Sequence, residues 1–151
     1  VRVAADLEGL DGLVMPGGES TTMTLGIKRE GLADPLREFV GSGKPVLGTC
    51  AGMIMLDREH LGCMDTVCKR NAFGRQVDSF ERQLDFNGHT LEAVFIRAPW
   101  IDEHGDAVEV LAEVDGHVVA ARQANMLVIS FHPEIAGETR LHQLFLESVH
   151  A

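Results

Sequence analysis

Cys50 stands in the segment Gly48-Thr49-Cys50-Ala51-Gly52, flanked by glycines and directly after a short apolar run. A free thiol has a pKa near 8.5 and is only a few per cent thiolate at neutral pH, so a nucleophilic cysteine needs help from its surroundings. A strand, a sharp turn and a helix would supply it. The helix N-terminus favours the thiolate, and the turn holds the side chain clear of the strand. A buried structural cysteine is the commoner use of this residue type, but it has no need of glycine on both sides. His132-Pro133-Glu134 supplies the partners such a nucleophile requires. A carboxylate two residues after a histidine, with proline stiffening the link, reaches the imidazole, fixes its tautomer and favours the imidazolium. Alone, the pair reads equally well as surface residues after a strand; beside Cys50, a Cys–His–Glu triad for acyl transfer is the stronger reading. Pro16-Gly17-Gly18-Glu19-Ser20 is a third element, whose backbone N–H groups could face a developing oxyanion, although Pro-Gly-Gly is also an ordinary turn.

The other reactive residue types form weaker patterns. Cys63 and Cys68 make one Cys-x4-Cys pair without a second, which argues against zinc. His60, His89, His104, His117, His142 and His150 stand in no motif, and a solvated face accounts for them. Lys69, Arg70 and Arg75 form a small basic cluster, the kind of cation an amino-acid carboxylate would need. No Gly-x-x-x-x-Gly-Lys-Ser/Thr or Gly-x-Gly-x-x-Gly loop is present, which removes the usual nucleotide fingerprints.

The elements that would position these residues follow from pattern. Leu13-Val14-Met15 reads as a buried strand entering the Pro16-Gly17-Gly18 loop, with Ser20 and Thr21 capping a helix. Asp34-Pro35 predicts a second helix start, with Leu36, Phe39 and Val40 at helical spacing before Gly41 and Gly43. Pro45 to Gly48 predicts a strand, and Met53 to Leu56 the helix after Cys50. Phe80–Phe86 and Leu91–Ile96, joined at Asn87-Gly88, read as a hairpin; Val108–Val114 and Val118–Arg122, joined at Asp115-Gly116, read as another. Met126 to Phe131 is the strongest strand, and it runs into His132. A last helix from about Thr139 places Leu141, Leu144, Phe145 and Val149 on one face. Alternation of strands and helices with an antiparallel insertion predicts a single-domain α/β fold with a mixed sheet.

Composition bounds the function classes. With 151 residues, 45% apolar and 24% charged, the chain has the profile of one globular domain rather than a disordered, fibrous or membrane protein. No apolar stretch approaches the ~18 residues of a spanning helix. A net charge of −10 disfavours nucleic acid and anionic membranes as partners. Three cysteines argue for a reducing compartment, and the cytoplasm is the expected location. The chain opens Val1-Arg2-Val3 without a methionine and reads as a piece of a longer protein.

Pro16-Gly17-Gly18-Glu19-Ser20-Thr21-Thr22, Gly48-Thr49-Cys50-Ala51-Gly52-Met53 and Phe131-His132-Pro133-Glu134 together resemble the three signatures of class I, triad-type glutamine amidotransferases. The block from Arg70 to Glu81 and Val94-Phe95-Ile96-Arg97-Ala98-Pro99 are similar to the glutaminase subunits of pyridoxal 5'-phosphate synthases, over nearly the whole chain from about Leu10 to Val149. The resemblance implies a mixed, mostly parallel, flavodoxin-like sheet with helices on both faces. It also implies hydrolysis of L-glutamine to glutamate and ammonia, which passes to a (β/α)8-barrel synthase subunit in a large hetero-oligomer for vitamin B6 synthesis. Carried over, Cys50 is the nucleophile, His132 the acid and base, and Glu134 its orienting carboxylate. Ala51 and Gly18 form the oxyanion hole, and Gly18, Glu19, Ser20, Arg70, Ile96 and Arg97 contact glutamine. No metal or cofactor is needed. Residues 1–151 are then one amidotransferase domain that departs from the family by lacking its first strand and helix and by a shorter connection between Glu59 and His60. The alternatives are an amidotransferase subunit of another pathway, which the Arg70–Glu81 block disfavours, and a non-catalytic docking subunit, which the intact triad disfavours.

Overall fold

The structure is a computed structural model that describes residues 1–70, 72–73, 79–86, 88–134, 137 and 139–150. A 3-10 turn, Ala4–Leu7, leads into β1 (Leu13–Met15), α1 (Ser20–Arg29), α2 (Ala33–Gly41), β2 (Val46–Thr49) and α3 (Ala51–Met55). Then come β3 (Thr66–Lys69), β4 (Ser79–Phe86), β5 (His89–Ile96), β6 (Trp100–His104), β7 (Glu109–Val114), β8 (His117–Gln123), β9 (Met126–Ile129) and α4 (Arg140–His150). Strands β1, β2, β9, β8, β6 and β3 lie in that order in one mixed sheet, with β7 also pairing β8. The parallel pairs are β1–β2 and β2–β9; β9–β8, β8–β7, β8–β6 and β6–β3 are antiparallel. β4 and β5 form the predicted hairpin as a separate ribbon. Its predicted turn residue Asn87 lies outside the described residues.

The sheet separates two apolar clusters. Alternate residues of β9 point to opposite faces, and Met126 and Val128 join one cluster while Leu127 and Ile129 join the other. The first is covered by Leu36, Phe39 and Val40 of α2 and by Met53, Ile54 and Met55 of α3, with Met23 and Ile27 of α1 packed against it. The second holds Leu141 of α4 and Leu84, Phe86, Leu91 and Phe95 of the hairpin. Helices therefore cover both faces. Every residue of β2 is buried, as a parallel strand covered on both sides requires.

Local boundaries differ from the pattern in instructive ways. Glu19, rather than Ser20 or Thr21, caps α1, because its longer side chain reaches the N–H groups of both Thr21 and Thr22. Helix α2 begins at Ala33, so Asp34 and Pro35 lie inside its first turn, where proline costs no hydrogen bond. Leu144 is exposed at 44% while Leu141 and Phe145 are buried, so the packed stripe of α4 is narrower than its apolar spacing suggests. β3 and β6 carry no clean alternation and are visible only in the fold.

Candidate active site

Strands β1, β2 and β9 run parallel and side by side, so their C-terminal ends open on the same edge of the sheet. Residues 16–20, Cys50 and His132 follow those three ends. This is where open α/β sheets place their sites. Cys50 is the N-cap of the short helix α3 and is held at φ 52°, ψ −109°, a conformation that side-chain-bearing residues avoid. Its N–H donates to the carbonyl of Ile129 at 2.8 Å, fastening the turn to β9. A Cβ on Gly52 would collide with the carbonyl oxygen of Met15, and one on Gly48 would lie 2.9 Å from that of Gly52. The glycines on either side of Cys50 therefore let α3 press onto β1 and β2, which fixes the turn.

His132 is anchored by its own backbone, whose N–H donates to the carbonyl of Val94 on β5 at 2.8 Å. Its Nδ1 donates to Glu134 Oε1 at 2.8 Å. The Cys50 side chain, beside the ring, is the largest cause of a His132 pKa raised from 6.5 to about 9; burial opposes it, and the bond with Glu134 adds to it. The ring is thus protonated at neutral pH beside the sulfur. Gly17 closes the other side, since a Cβ there would lie 2.8 Å from His132 Cε1 and 3.5 Å from Cys50 Cβ. Sequence reasoning placed Gly17 only in an oxyanion turn; its packing against the imidazole is decided by the fold.

Around the pair lies a cavity of about 420 Å³, lined by Gly18, Glu19, Ser20, Cys50, Ala51, Ile54, Arg70, Ile96, Arg97, Pro99 and His132. All six residues expected to contact substrate are there, together with both expected oxyanion residues. The N–H of Ala51 is the first of α3 and has no place in the intrahelical ladder. Glu19 accepts hydrogen bonds from Thr22 N at 2.7 Å and Thr21 N at 3.0 Å, which hold its carboxyl down at about 2. The same carboxylate takes Arg70 Nη2 at 3.0 Å, while Arg70 Nη1 donates to Thr21 Oγ1 at 3.2 Å. Glu19 thereby places a guanidinium on the cavity wall. Arg97, just after β5, sits at φ 44°, a second left-handed residue on the same wall. Ile54 and Pro99 were not anticipated, although Ile54 lies one helical turn after Cys50 and could have been read from that spacing. A larger groove of about 620 Å³ beside β1 and α1 is lined mainly by apolar side chains such as Val3, Met23 and Ile27, and contains no nucleophile. Chemistry, not size, identifies the site.

The remaining candidates stay apart from this geometry. Burial pushes the Cys63 thiol up, with Arg37 opposing, and burial followed by Asp57 pushes the Cys68 thiol well above its ordinary range. Both are poor nucleophiles. Among the described residues, no cluster of three His, Cys, Asp or Glu side chains has the arrangement of a metal site. Lys69 lies over the Trp100 ring, 5.5 Å from its centroid. Arg75, and Asn71 and Gly74–Asp78 of the Arg70–Glu81 block, lie outside the described residues. Among those described, no helix is long and apolar enough to cross a membrane.

Residues 1–151 match the model of the SNO glutamine amidotransferase family. The chain belongs to that family. A pyridoxal 5'-phosphate synthase subunit PdxT from Mycobacteroides abscessus is 52% identical, aligned over all of this chain and 84% of its own length. The subunit of the same name from Streptomyces coelicolor is 51% identical over all of this chain and 81% of its own length. A crystal structure of a glutamine amidotransferase superposes with a TM-score of 0.92 at 42% identity, covering 100% of this chain and 85% of that one. A chain in the structure of PurLQS from Thermotoga maritima, 16% identical, shares the fold alone, with a TM-score of 0.68 over 94% of this chain and 79% of that one.

Proposed function

We propose that this amidotransferase is the glutaminase subunit of a pyridoxal 5'-phosphate synthase, hydrolysing L-glutamine and supplying the ammonia for vitamin B6 synthesis. The observation that carries the reading is a strained Cys50 elbow beside a Glu134-oriented His132, at a cavity lined by every residue expected to contact glutamine. Relatives about half identical over the whole chain carry the synthase-subunit name.

In this reading residues 1–151 belong to one glutaminase domain. Arg70 receives the α-carboxylate of glutamine, with Gly18, Glu19, Ser20, Ile96 and Arg97 completing the pocket. The Cys50 sulfur attacks the side-chain amide carbon, and the N–H groups of Ala51 and Gly18 stabilise the oxyanion. The protonated His132 gives its proton to the leaving nitrogen as the C–N bond breaks, releasing ammonia and leaving a thioester. Neutral His132 then takes a proton from water as it attacks the thioester, and glutamate leaves as the sulfur recovers its electrons. The chemistry calls on no metal or cofactor. The partner is a (β/α)8-barrel synthase subunit in a large hetero-oligomer, and the setting is the cytoplasm.

The test is glutamate release from L-glutamine, with and without the synthase subunit, with Cys50→Ala as control. Turnover that rises with the partner and disappears in the variant supports site, reaction and partner together. A folded wild-type chain without turnover under either condition refutes the enzymatic reading.

A further inference from the structure

Outside the catalytic pair, the most completely enclosed titratable group among the described residues is Asp57, which has no accessible surface. It follows α3 directly, after the C-cap Leu56. Its Oδ1 accepts from Glu59 N at 3.0 Å and from His60 Nδ1 at 2.6 Å, and its Oδ2 accepts from Cys68 N at 3.1 Å. A buried carboxylate is costly unless its lone pairs are satisfied, and here they are. The first two bonds close the turn in which Asp57 itself lies. The third crosses to another element, β3.

That crossing occurs where β3 is held least. β3 ends the sheet order and pairs only β6 within it, and the pairing shifts register between Val67 and Cys68, skipping Asp102. On its other side, the neighbouring Arg58 N–H donates to Thr66 O at 2.9 Å, so Asp57 and Arg58 together grip the strand. Two residues beyond Cys68 the chain reaches Arg70, on the cavity wall. At the opposite end of the same short path, α3 begins at Cys50. The far end of α3 is itself fixed, since Leu61 N and Met64 N donate to the carbonyls of Met55 and Leu56 at 2.9 Å.

We infer that Asp57 is a positioning residue for glutamine binding: its buried carboxylate ties the helix that Cys50 caps to the strand that leads into Arg70, and so sets the gap between the nucleophile and the guanidinium that receives the substrate carboxylate. This rests on the glutaminase reading above. The effect is on substrate affinity and placement rather than on the chemistry of the sulfur, because Asp57 lies at the end of α3 away from Cys50.

The test compares wild type with Asp57→Asn, as the full chain with its synthase partner. It measures KM and kcat for glutamine, and the rate at which iodoacetamide, a small electrophile without a carboxylate, alkylates Cys50. Asparagine keeps the volume but turns an N–H donor toward one of the backbone N–H groups. KM is expected to rise roughly five- to twentyfold, with kcat and the alkylation rate each changing by less than about threefold. An unchanged KM in a folded variant overturns the inference, as does a parallel fall of kcat and alkylation, which marks general loosening. If Asp57→Asn does not fold, His60→Phe releases the carboxylate on one side while keeping the bulk. A KM rise of about two- to fivefold with the same split is then expected, and an unchanged KM overturns the inference. Arg70→Ala separates the two levels: wild-type turnover with no loss of affinity in Arg70→Ala refutes the substrate role of Arg70, whereas a loss there with none in Asp57→Asn refutes only the role of Asp57.

Discussion

The backbone at Cys50 gives a direct measure of how far the fold is bent toward function. At φ 52° and ψ −109° the residue lies outside every region that an L-residue occupies comfortably, and such positions cost roughly 1–3 kcal/mol each. Glycine carries no such penalty there. Replacing Cys50 by glycine and, separately, by alanine removes the thiol in both cases and isolates the strain in the difference. Set against the relief, glycine loses about 0.5–1 kcal/mol more conformational entropy on folding than alanine, and about 0.8 kcal/mol goes with the one buried carbon. With the strain near the upper end of its range, Cys50→Gly should be about 1 kcal/mol more stable than Cys50→Ala. In a chain of 151 residues that is a Tm higher by about 2–4 °C. Urea unfolding of the two variants at one pH, with calorimetry alongside, reads the difference, and neither should hydrolyse glutamine. A Cys50→Gly chain no more stable than Cys50→Ala refutes a strain near the upper end of that range.

Two further outcomes follow from the same site. The His132 ring, followed by NMR through a pH titration, should turn near 9 in the wild-type chain and clearly lower in Cys50→Ala, because Cys50 is the largest cause of its elevation. Since the folded-state value is raised, the stability it contributes is fully present below about 6.5 and is lost as pH rises through about 9. The stability gap between wild type and Cys50→Ala should therefore shrink between those limits, and a ring that titrates identically in both chains contradicts this. Gly52→Ala should destabilise by at least about 2 kcal/mol, as its Cβ is driven into the carbonyl of Met15; an unfolding curve within about 0.5 kcal/mol of wild type would show that β1 and α3 yield there.

What the sequence determined by itself was local. Leu13-Val14-Met15 and Met126 to Ile129 are apolar runs bounded by turn residues, and each is a strand because nothing nearby competes with that pattern. The elbow was legible because a core cysteine has no need of glycine on both sides, and His132 and Glu134 because a spacing of two positions keeps them within a side chain's reach. Elsewhere, local signals were answered by distant partners. Glu19 caps α1 while also pairing with Arg70, 51 residues away, and nothing near either residue announces the contact. β3 reads as neither strand nor helix, since its register is set by β6 and by the carboxylate of Asp57. The spacing of Asp57 and His60, three apart on one turn, was a signal in the sequence, but a histidine's partner matters only once burial removes the alternative of water. Tertiary structure alone decided that the loop after Met15, Cys50 and His132 share one cavity. They are far apart along the chain, and they meet because β1, β2 and β9 pair in parallel, which brings three C-terminal strand ends to the same edge of the sheet.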